Sequence, residues 1–371
     1  MHVGLVVYDG LSETSGGYRY DRQLVAHCRE RGDEVSVLAL PRRRYPLRLA
    51  DAASRRFRAR LNQPVDVLVV DELCHASVWL HVQHLDRPGA VVAIVHHLRS
   101  AVTAVRFARA IRTIESRFLR SVDGAICVSE DTRNRVLAHG GRPTVVAPPG
   151  GRHCSRTLTP RRVVERSRRD PLRILFVGSV VPRKGLPTLV EALARLDGEW
   201  RLDVVGSLQT DFAHGRTVGR TVSRLGLDDH VSFRGAVSDG TLCKLYERSH
   251  ILAVPSRFEG FGMVYLEAME YGIVPIASSR GGASDIVSDG TNGFLVEPDD
   301  PGSVASVLES VIDDRRRLAS MGTRALETAD SHPTWDTSMD AARSFCAALA
   351  GASQPPGRQR SNRSVDGGDR R

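Results

Sequence analysis

The chain has 371 residues, of which 41% are hydrophobic, and it carries a formal net charge of +9. This length exceeds one typical domain and suits two domains of about 150 to 180 residues. No apolar run approaches the roughly 18 residues of a membrane span, and no secretory leader is expected before the run Val3 to Tyr8. The six cysteines lack C-x-x-C spacing, which is typical neither of a zinc site nor of a disulfide framework and fits a cytoplasmic protein.

The first half of the chain alternates short apolar runs with helix-length segments such as Tyr20 to Arg31. This alternation predicts a parallel sheet with helical crossovers, because parallel neighbours need a long connection. The pattern breaks from Pro148 to Pro171, which we interpret as the connection between domains. The predicted strands are Val3 to Tyr8, Val35 to Leu40, Val65 to Val70, Val91 to Val95, Ala125 to Val128 and Thr144 to Ala147.

Two segments of this half, 41–60 and 99–120, are rich in arginine. The first has eight arginines against one acid, Asp51, and the second places arginines among Phe107, Ile111, Ile114 and Phe118 at helical spacing. Such segments can lie on an anionic membrane surface, which would make the protein peripheral at the inner membrane face. Equally, the apolar stripe can pack on the sheet while the arginines are solvated. Nucleic acid is not an expected partner, because no recognition motif accompanies the charge.

The second half repeats the alternation, so the fold class is α/β, with two doubly wound, Rossmann-like sheets that face a cleft at the carboxyl ends of their strands. Its predicted strands are Leu172 to Val177, Leu202 to Val205, Val231 to Phe233, Ile251 to Val254, Val274 to Ala277 and Gly293 to Val296. The expected units are a first domain (1–150), a linker (151–171), a second domain (172–334), a helix crossing back to the first domain (335–350) and a disordered basic tail (351–371).

The segment from Pro255 to Gly282 carries the most chemical information. After the strand Ile251 to Val254 it has Glu259 in a glycine-rich turn, and Glu267 follows in the next helix. Glycines at a strand-to-helix turn let backbone N–H groups approach an anion, and the amino terminus of a helix adds partial positive charge. A diphosphate is the anion that this arrangement would accept.

This segment resembles the signature of glycosyltransferase family 4, the retaining enzymes of the two-domain GT-B fold, in which seven residues separate two glutamates. Glu259 and Glu267 have that spacing within the contexts P-S-x-x-E-G-F-G and E-A-M-x-x-G-x-P. The resemblance covers nearly the whole chain. Further matching segments are DGAICVSEDTR from Asp123, FVGSVVPRKG from Phe176, LYERSHILAVP from Leu245 and DGTNGFLVEPDD from Asp289.

The resemblance implies roles for individual side chains. Glu267 would hold the ribose hydroxyls of the nucleotide, and Glu259 would bind hydroxyls of the donor sugar, since a carboxylate can accept from two vicinal hydroxyls. Arg183 and Lys184 would grip the diphosphate and stabilise the charge of the leaving nucleotide. Many members of the family carry Arg after the glycine that corresponds to Gly178, whereas this chain has Ser179.

In the first half, the resemblance implies that Gly16 and Gly17 form a loop over the donor and that a strand-end histidine lies near the sugar. His96 is the preferred candidate, and His97 is the close alternative. Ser129 and the pair Gly281 and Gly282 are further candidates near the donor, and Asp285 is interpreted as structural. The predicted catalytic residues are Glu259, His96, Arg183 and Lys184, and the predicted donor site consists of Gly16, Gly17, Gly178, Ser179, Arg183, Lys184, Gly260, Phe261, Gly262 and Glu267.

The implied function is retaining transfer of a hexose from a UDP- or GDP-linked donor to an acceptor hydroxyl in glycoconjugate synthesis. No cofactor or essential metal is expected. A pyridoxal-type phosphorylase needs a Schiff-base lysine, and the contexts of Lys184 and Lys244 are unlike that site. A nucleotide-sugar epimerase is another enzyme class on this architecture. A non-catalytic member that binds nucleotide sugar and acts as a regulator or scaffold is the alternative that Ser179 keeps open.

Overall fold

The structure is a computed structural model, and it describes residues 1–12, 15–101, 108–140, 142–151 and 158–352. It contains two six-stranded parallel sheets. Arg106, Phe107 and all but the first two residues of the predicted tail lie outside the described residues. Each sheet is flanked by helices, so the predicted fold class, with two Rossmann-like domains, is confirmed.

The first sheet has the strand order β2-β1-β3-β4-β5-β6. Its central strands are almost wholly buried runs of Val, Ile, Leu and Ala, as expected where helices cover both faces of a parallel sheet. The strands are β1 His2–Tyr8, β2 Glu34–Leu40, β3 Val67–Asp71, β4 Ala90–Val95, β5 Gly124–Cys127 and β6 Thr144–Val146, and the helices are α1 Gly16–Glu30, α2 Tyr45–Asp51, α3 Arg55–Leu61, α4 His75–Val78, α5 Ala108–Ser121 and α6 Glu130–Ala138.

The second sheet has the order β12-β11-β10-β7-β8-β9. Its strands are β7 Leu172–Val177, β8 Trp200–Val205, β9 Val231–Gly235, β10 Ile251–Val254, β11 Val274–Ser278 and β12 Phe294–Val296. The helices of the second half are α7 Pro160–Ser167, α8 Leu186–Leu193, α9 Phe212–Arg224, α10 Asp239–Arg248, α11 Met263–Met269, α12 Pro301–Asp313, α13 Arg315–Ser331 and α14 Trp335–Ala352.

The stretch interpreted as a linker, 151–171, contains α7, which packs against α13. The second domain in the structure therefore begins before Leu172, because Val163 and Arg166 bury one side of α7. Arg166 donates hydrogen bonds to the carbonyls of Tyr271 and Gly272, at 2.9 and 2.7 Å, and so ties α7 to the end of α11. Sequence patterning missed this helix because it is short and rich in arginine.

The last helix, α14, leaves the second domain and packs against α1 and the sheet of the first domain. Met339 and Ala342 are buried there, and Gly124 has no room for a side chain, because a Cβ atom would lie 2.6 Å from Leu349 Cδ1. Pro149 and Gly151, in the first connection between the domains, contact the second connection at the start of α14. The Trp335 indole N–H donates to the Gly151 carbonyl at 2.9 Å, and His332 Nε2 lies 3.0 Å from the Pro149 carbonyl. The two connections between the domains therefore run side by side.

The apolar stripe of α5 faces the interior. Ile111 and Phe118 are buried, whereas Arg112, Arg117 and Arg120 are exposed. This arrangement agrees with solvated arginines over a packed stripe and leaves no apolar face of α5 for a lipid surface. Within the described ranges, no helix combines the length and the apolar character needed to cross a membrane.

Four cysteines, Cys28, Cys74, Cys127 and Cys346, are buried free thiols. Cys243, by contrast, is disulfide-bonded, which the scattered cysteine spacing did not anticipate. Cys243 lies in α10 and is half-buried.

Asp33 fastens α14 to the first domain, because Arg343 donates to its two carboxylate oxygens at 2.6 and 2.9 Å. Burial works against the charge of Asp33, but Arg343 and the Met1 ammonium, which donates to Asp33 Oδ1 at 2.8 Å, together outweigh it and hold the pKa of Asp33 below its usual value. We therefore expect Asp33→Ala to lower the free energy of unfolding by about 2 kcal/mol near neutral pH. Urea denaturation followed by circular dichroism measures this change.

A group with a lowered native pKa stabilises the fold above its unfolded pKa, about 3.9 for Asp, and loses that contribution as the pH falls through the native pKa. The difference between the wild type and Asp33→Ala should therefore shrink at pH 3. The exposed Asp197 provides the control, and Asp197→Ala should unfold like the wild type. Equal stability of Asp33→Ala and the wild type at pH 7 would contradict the assignment.

Candidate active site

The two sheets meet at the carboxyl ends of their strands. His96 follows β4 and Ser129 follows β5, whereas Gly260 follows β10. The Ser129 hydroxyl donates to the Gly260 carbonyl at 2.7 Å, and a Cβ atom on Gly260 would collide with the His96 carbonyl. The Glu130 N–H also donates to Asp285 Oδ2 at 2.6 Å, which fits a structural role for Asp285. The cleft between the domains is therefore narrow at the expected donor site.

Glu259 is the centre of a compact charged cluster after β10. Lys184 Nζ donates to Glu259 Oε1 at 2.6 Å, and the Ser256 hydroxyl donates to the same oxygen at 2.7 Å. Arg183 NH1 lies 3.4 Å from this oxygen and donates to the Phe258 carbonyl at 2.9 Å. The structure therefore brings together three of the four predicted catalytic residues.

This cluster is charged at neutral pH. Burial would raise the pKa of Glu259, but Lys184 and Arg183 outweigh it and hold the value at about 2. Burial also lowers the pKa of the Lys184 ammonium, and the Glu259 carboxylate counteracts this. Two cations thus stand beside one carboxylate, and the excess positive charge suits an anionic ligand.

Glu267 lies in α11, one turn after the glycine-rich segment, and is almost fully buried. The Tyr246 hydroxyl donates to its Oε2 at 3.2 Å. Its Oε1 accepts from Arg19 of α1 at 2.6 Å, which is an ion pair between the two domains. Arg19 was not singled out by the sequence analysis, because nothing in its local pattern distinguishes it from other helix arginines.

The predicted glycines lie where backbone must come close to other groups. Gly262 has a φ of 86° and precedes α11, and Gly178 has a φ of 150° at the end of β7, next to Ser179 and to the side chain of Lys184. A Cβ atom on Gly16 would lie 2.6 Å from the Met263 methyl group, and one on Gly17 would lie 3.1 Å from the His96 ring. Helix α11 has only seven residues. Its amino terminus adds at most a partial positive charge, whereas Arg183 and Lys184 each add a full one.

Phe261 and the pair Gly281 and Gly282 complete this wall of the cleft. Phe261 is buried, and its ring centroid lies 5.6 Å from that of His332, so it packs beneath the connection between the domains. Gly281 has a φ of 103° and forms an isolated parallel bridge with Glu259, and a Cβ atom on Gly282 would lie 2.6 Å from the Ser129 hydroxyl. These glycines therefore hold the Glu259 turn against the first domain.

His96 and His97 both follow β4, but their surroundings differ. Burial would lower the pKa of His96, yet the nearby carboxylates of Asp21, Asp71 and Glu72 raise it to about 9. For His97, burial and then the Arg183 guanidinium lower the pKa to about 4. His96 also packs against Gly17 and forms a T-shaped contact with the Tyr20 ring at 5.3 Å between centroids. The two neighbouring rings therefore differ in charge at neutral pH.

Three buried acids around His96 were missed by the sequence analysis. Asp71 and Glu72 come directly after the apolar core of β3, at the same sheet edge as His96, and this position was an available signal. Asp21 lies on the buried side of α1, where a charged residue is uncommon. Acids at strand ends and an acid on an apolar helix face together would have pointed to this cluster.

Comparison with known proteins identifies the second domain. Residues 160–328, which include Glu259, Glu267, Arg183 and Lys184, match the family model described as Glycosyl transferases group 1. The chain therefore carries a group 1 glycosyltransferase domain. This domain supplies one wall of the cleft, and the sheet of the first domain supplies the other.

A D-inositol 3-phosphate glycosyltransferase of Geodermatophilus obscurus is 30% identical over 295 residues, which are 72% of this chain and 64% of that relative. The chain spans 39% of the length of the relative of that name from Streptomyces avermitilis and 66% of the length of the one from Streptomyces scabiei. Sucrose-phosphate synthase of Thermosynechococcus elongatus superposes with a TM-score of 0.78 at 20% identity and covers 95% of this chain and 100% of that chain.

Anabaena HepE in complex with UDP and glucose superposes with a TM-score of 0.76 at 18% identity, over 94% of this chain and 100% of that chain. At such identities the superpositions show the fold alone. They establish the GT-B architecture, in which the first parallel sheet faces the group 1 glycosyltransferase domain that contains the second sheet.

Proposed function

We propose that the protein is a retaining glycosyltransferase of family 4 that moves a hexose-type sugar from a UDP- or GDP-linked donor to an acceptor hydroxyl in glycolipid, polysaccharide or other glycoconjugate synthesis. The observation that carries this proposal is the cluster of Glu259, Lys184 and Arg183 within a group 1 glycosyltransferase domain, at the point where Gly260 meets the backbone of His96 across the cleft. The curated relatives are named as glycosyltransferases, which supports sugar transfer, and the UDP and glucose in the HepE structure support a nucleotide-linked donor.

In this proposal Glu267 accepts hydrogen bonds from the ribose hydroxyls. The ribose would then replace Arg19 on the Glu267 carboxylate. Lys184 and Arg183 bind the diphosphate oxygens, and Glu259, freed from part of its ion pairing, accepts from hydroxyls of the sugar. His96 faces the sugar from the first domain.

Transfer breaks the bond between the anomeric carbon and the phosphate oxygen, which keeps the electron pair. The acceptor hydroxyl attacks the same face of the sugar, and its proton passes to the leaving phosphate oxygen. Lys184 and Arg183 stabilise the charge that develops on the nucleotide, and this requires no cofactor. Glu259 is a poor nucleophile here, because its pKa of about 2 and its two hydrogen-bond donors lower the basicity of the carboxylate.

We also propose that the arginines of segments 41–60 and 99–120 make peripheral contact with an anionic surface at the cytoplasmic face of the membrane. Arg48 Cζ lies 4.4 Å from the centroid of the Tyr8 ring, and Arg99 Cζ lies 4.8 Å from the centroid of the Tyr45 ring. Other arginines of these segments are exposed. Charge rather than apolar insertion would drive this contact, since the stripe of α5 is buried.

Thermal unfolding in the presence of UDP, GDP, ADP and their sugars, with and without magnesium, tests the donor assignment. A ligand that binds only the native state raises its stability, by about 2.7 kcal/mol at 100 times its Kd. We expect a rise with the uridine or guanosine compounds that is larger for one sugar nucleotide. No rise with any nucleotide would contradict donor binding, and a rise without turnover would favour the non-catalytic alternative to which Ser179 points.

A further inference from the structure

Three side chains with metal-ligand chemistry converge in the first domain. Asp21 comes from α1, Asp71 from the end of β3, and His96 from the residue after β4. One ligand atom of each lies within 4.8 Å of the others, and His96 Nε2 is 3.5 Å from Asp21 Oδ1. Two of these elements are neighbouring strands of the buried sheet and the third is the helix α1 that follows β1, so the fold brings the three side chains together.

The polar atoms of this group lack hydrogen-bond partners among the described residues. Both carboxylate oxygens of Asp21, Oδ2 of Asp71 and Nε2 of His96 are buried and make no hydrogen bond within the described residues, although His96 Nε2 and Asp21 Oδ1 form an ion pair at 3.5 Å. Asp21 and Asp71 have exposed fractions of 0% and 1%. An isolated buried carboxylate is strongly unfavourable, so two of them side by side require positive charge, which either the protonated His96 ring or a bound cation in place of its proton supplies.

Neighbouring groups orient the set. The Leu73 N–H donates to Asp71 Oδ1 at 2.8 Å, which leaves Oδ2 for the cluster. Glu72 Oε2 accepts from the His96 backbone N–H at 3.1 Å, and the Tyr20 ring packs on the imidazole. Such outer contacts fix the ligands of metal sites in known proteins.

We propose that Asp21, Asp71 and His96 bind one divalent transition-metal ion, Zn²⁺ or Mn²⁺, in the first domain beside the cleft. Two carboxylates neutralise the charge of such an ion, and the imidazole nitrogen favours zinc or manganese over magnesium and calcium, which prefer oxygen. At bonds of about 2.1 Å, two ligands of one ion lie roughly 3 to 4 Å apart. The separation of 3.5 Å between Asp21 and His96 fits this range, and the widest pair contracts slightly on binding.

A divalent ion between Asp21 and Asp71 would remove the repulsion between their buried carboxylates, and its binding would release any proton that these groups hold. The ion would hold α1 to the ends of β3 and β4 and fix the His96 ring against Gly17. It would serve as a positioning element, separate from the diphosphate site.

Metal binding by the full chain can be measured directly, with no nucleotide present. The protein is treated with EDTA, exchanged into metal-free buffer, and titrated with Zn²⁺, Mn²⁺ and, as a spectroscopic probe, Co²⁺. We expect one ion per chain by elemental analysis, visible Co²⁺ bands typical of nitrogen and oxygen ligands, and a higher unfolding temperature with metal. Magnesium should give a much smaller effect.

The variants Asp21→Asn and Asp71→Asn should bind Zn²⁺ at least about 10-fold more weakly, while the exposed Asp197→Asn should bind like the wild type. Without metal, Asp21→Asn should be at least as stable as the wild type, because the change removes a buried charge. If Asp21→Asn fails to fold, electron paramagnetic resonance of Mn²⁺ bound to the wild type is the second measurement. It should show coupling to a nitrogen nucleus, and this coupling should be lost in His96→Gln.

Wild-type protein that retains no Zn²⁺ or Mn²⁺ at a ratio of one per chain would overturn the proposal. So would equal affinity in Asp21→Asn and the wild type, which would place the metal elsewhere. These outcomes are separate from failure of the proposed function, since nucleotide binding is tested on its own by thermal unfolding with EDTA present.

Discussion

Glu259→Gln is expected to lower kcat for sugar transfer about 100- to 1000-fold, the range seen when one preorganised polar contact in a transition state is lost. The amide has nearly the same shape but cannot accept the ionic hydrogen bonds that Lys184 and a sugar hydroxyl would donate. Affinity for the nucleoside diphosphate should stay the same or increase, because Lys184 and Arg183 are then free for phosphate. Steady-state kinetics and calorimetric titration with the diphosphate measure the two effects.

Glu34→Gln is the matched control, since this glutamate side chain is 77% exposed and lies in β2, far along the sheet from the cleft. It should leave kcat unchanged. Unaltered turnover in Glu259→Gln would show that the carboxylate does not contact the sugar. A large loss of diphosphate affinity would instead indicate that Glu259 mainly orders the phosphate site.

Lys184→Met is expected to lower kcat/KM about 100-fold and to weaken binding of the nucleoside diphosphate. Methionine keeps the length of the side chain but removes the charge that would stabilise the leaving phosphate. Binding of the nucleoside without phosphates should change little, because Lys184 does not approach the Glu267 end of the site in this structure. The comparison of nucleoside and diphosphate affinities therefore isolates the phosphate contact.

The other lysine of the chain, Lys244, provides a close control because it is exposed on α10. Lys244→Met should bind and turn over like the wild type. A loss in Lys184→Met that is equal for the nucleoside and the diphosphate would point to a damaged fold, and this would contradict the assigned role. The opposite result would exchange the two roles: Glu259→Gln would then bind the diphosphate weakly, and Lys184→Met would bind it with wild-type affinity.

Much of the fold was accessible from the sequence because buried parallel strands leave continuous apolar runs. The prediction of β4 from Val91 to Val95 differs by one residue from the observed Ala90–Val95. The limits of the domains were harder, since α7 is only eight residues long and exposes several arginines. Its burial depends on contacts with α13 that no local pattern contains.

The second-domain wall of the candidate site was also accessible, because Glu259 and Lys184 stand at strand ends within recognisable motifs. The surroundings of His96 were not, since Asp21 and Asp71 are separated by 50 positions and meet only after the sheet forms. Arg19 presents the same difficulty, because its partner Glu267 belongs to the other domain. Sequence spacing locates groups on one loop, whereas pairing across a cleft depends on tertiary structure.

The adjacent course of the two domain connections limits how the molecule can open. Two domains that are joined by two adjacent connecting segments rotate most easily about an axis through those segments. Twisting or sliding of one domain against the other is resisted. The contacts of Trp335 with Gly151 and of His332 with Pro149 stiffen that axis. The cleft should therefore open by a hinge motion, in which a small rotation about an axis near Trp335 produces a large displacement at the rim farthest from that axis.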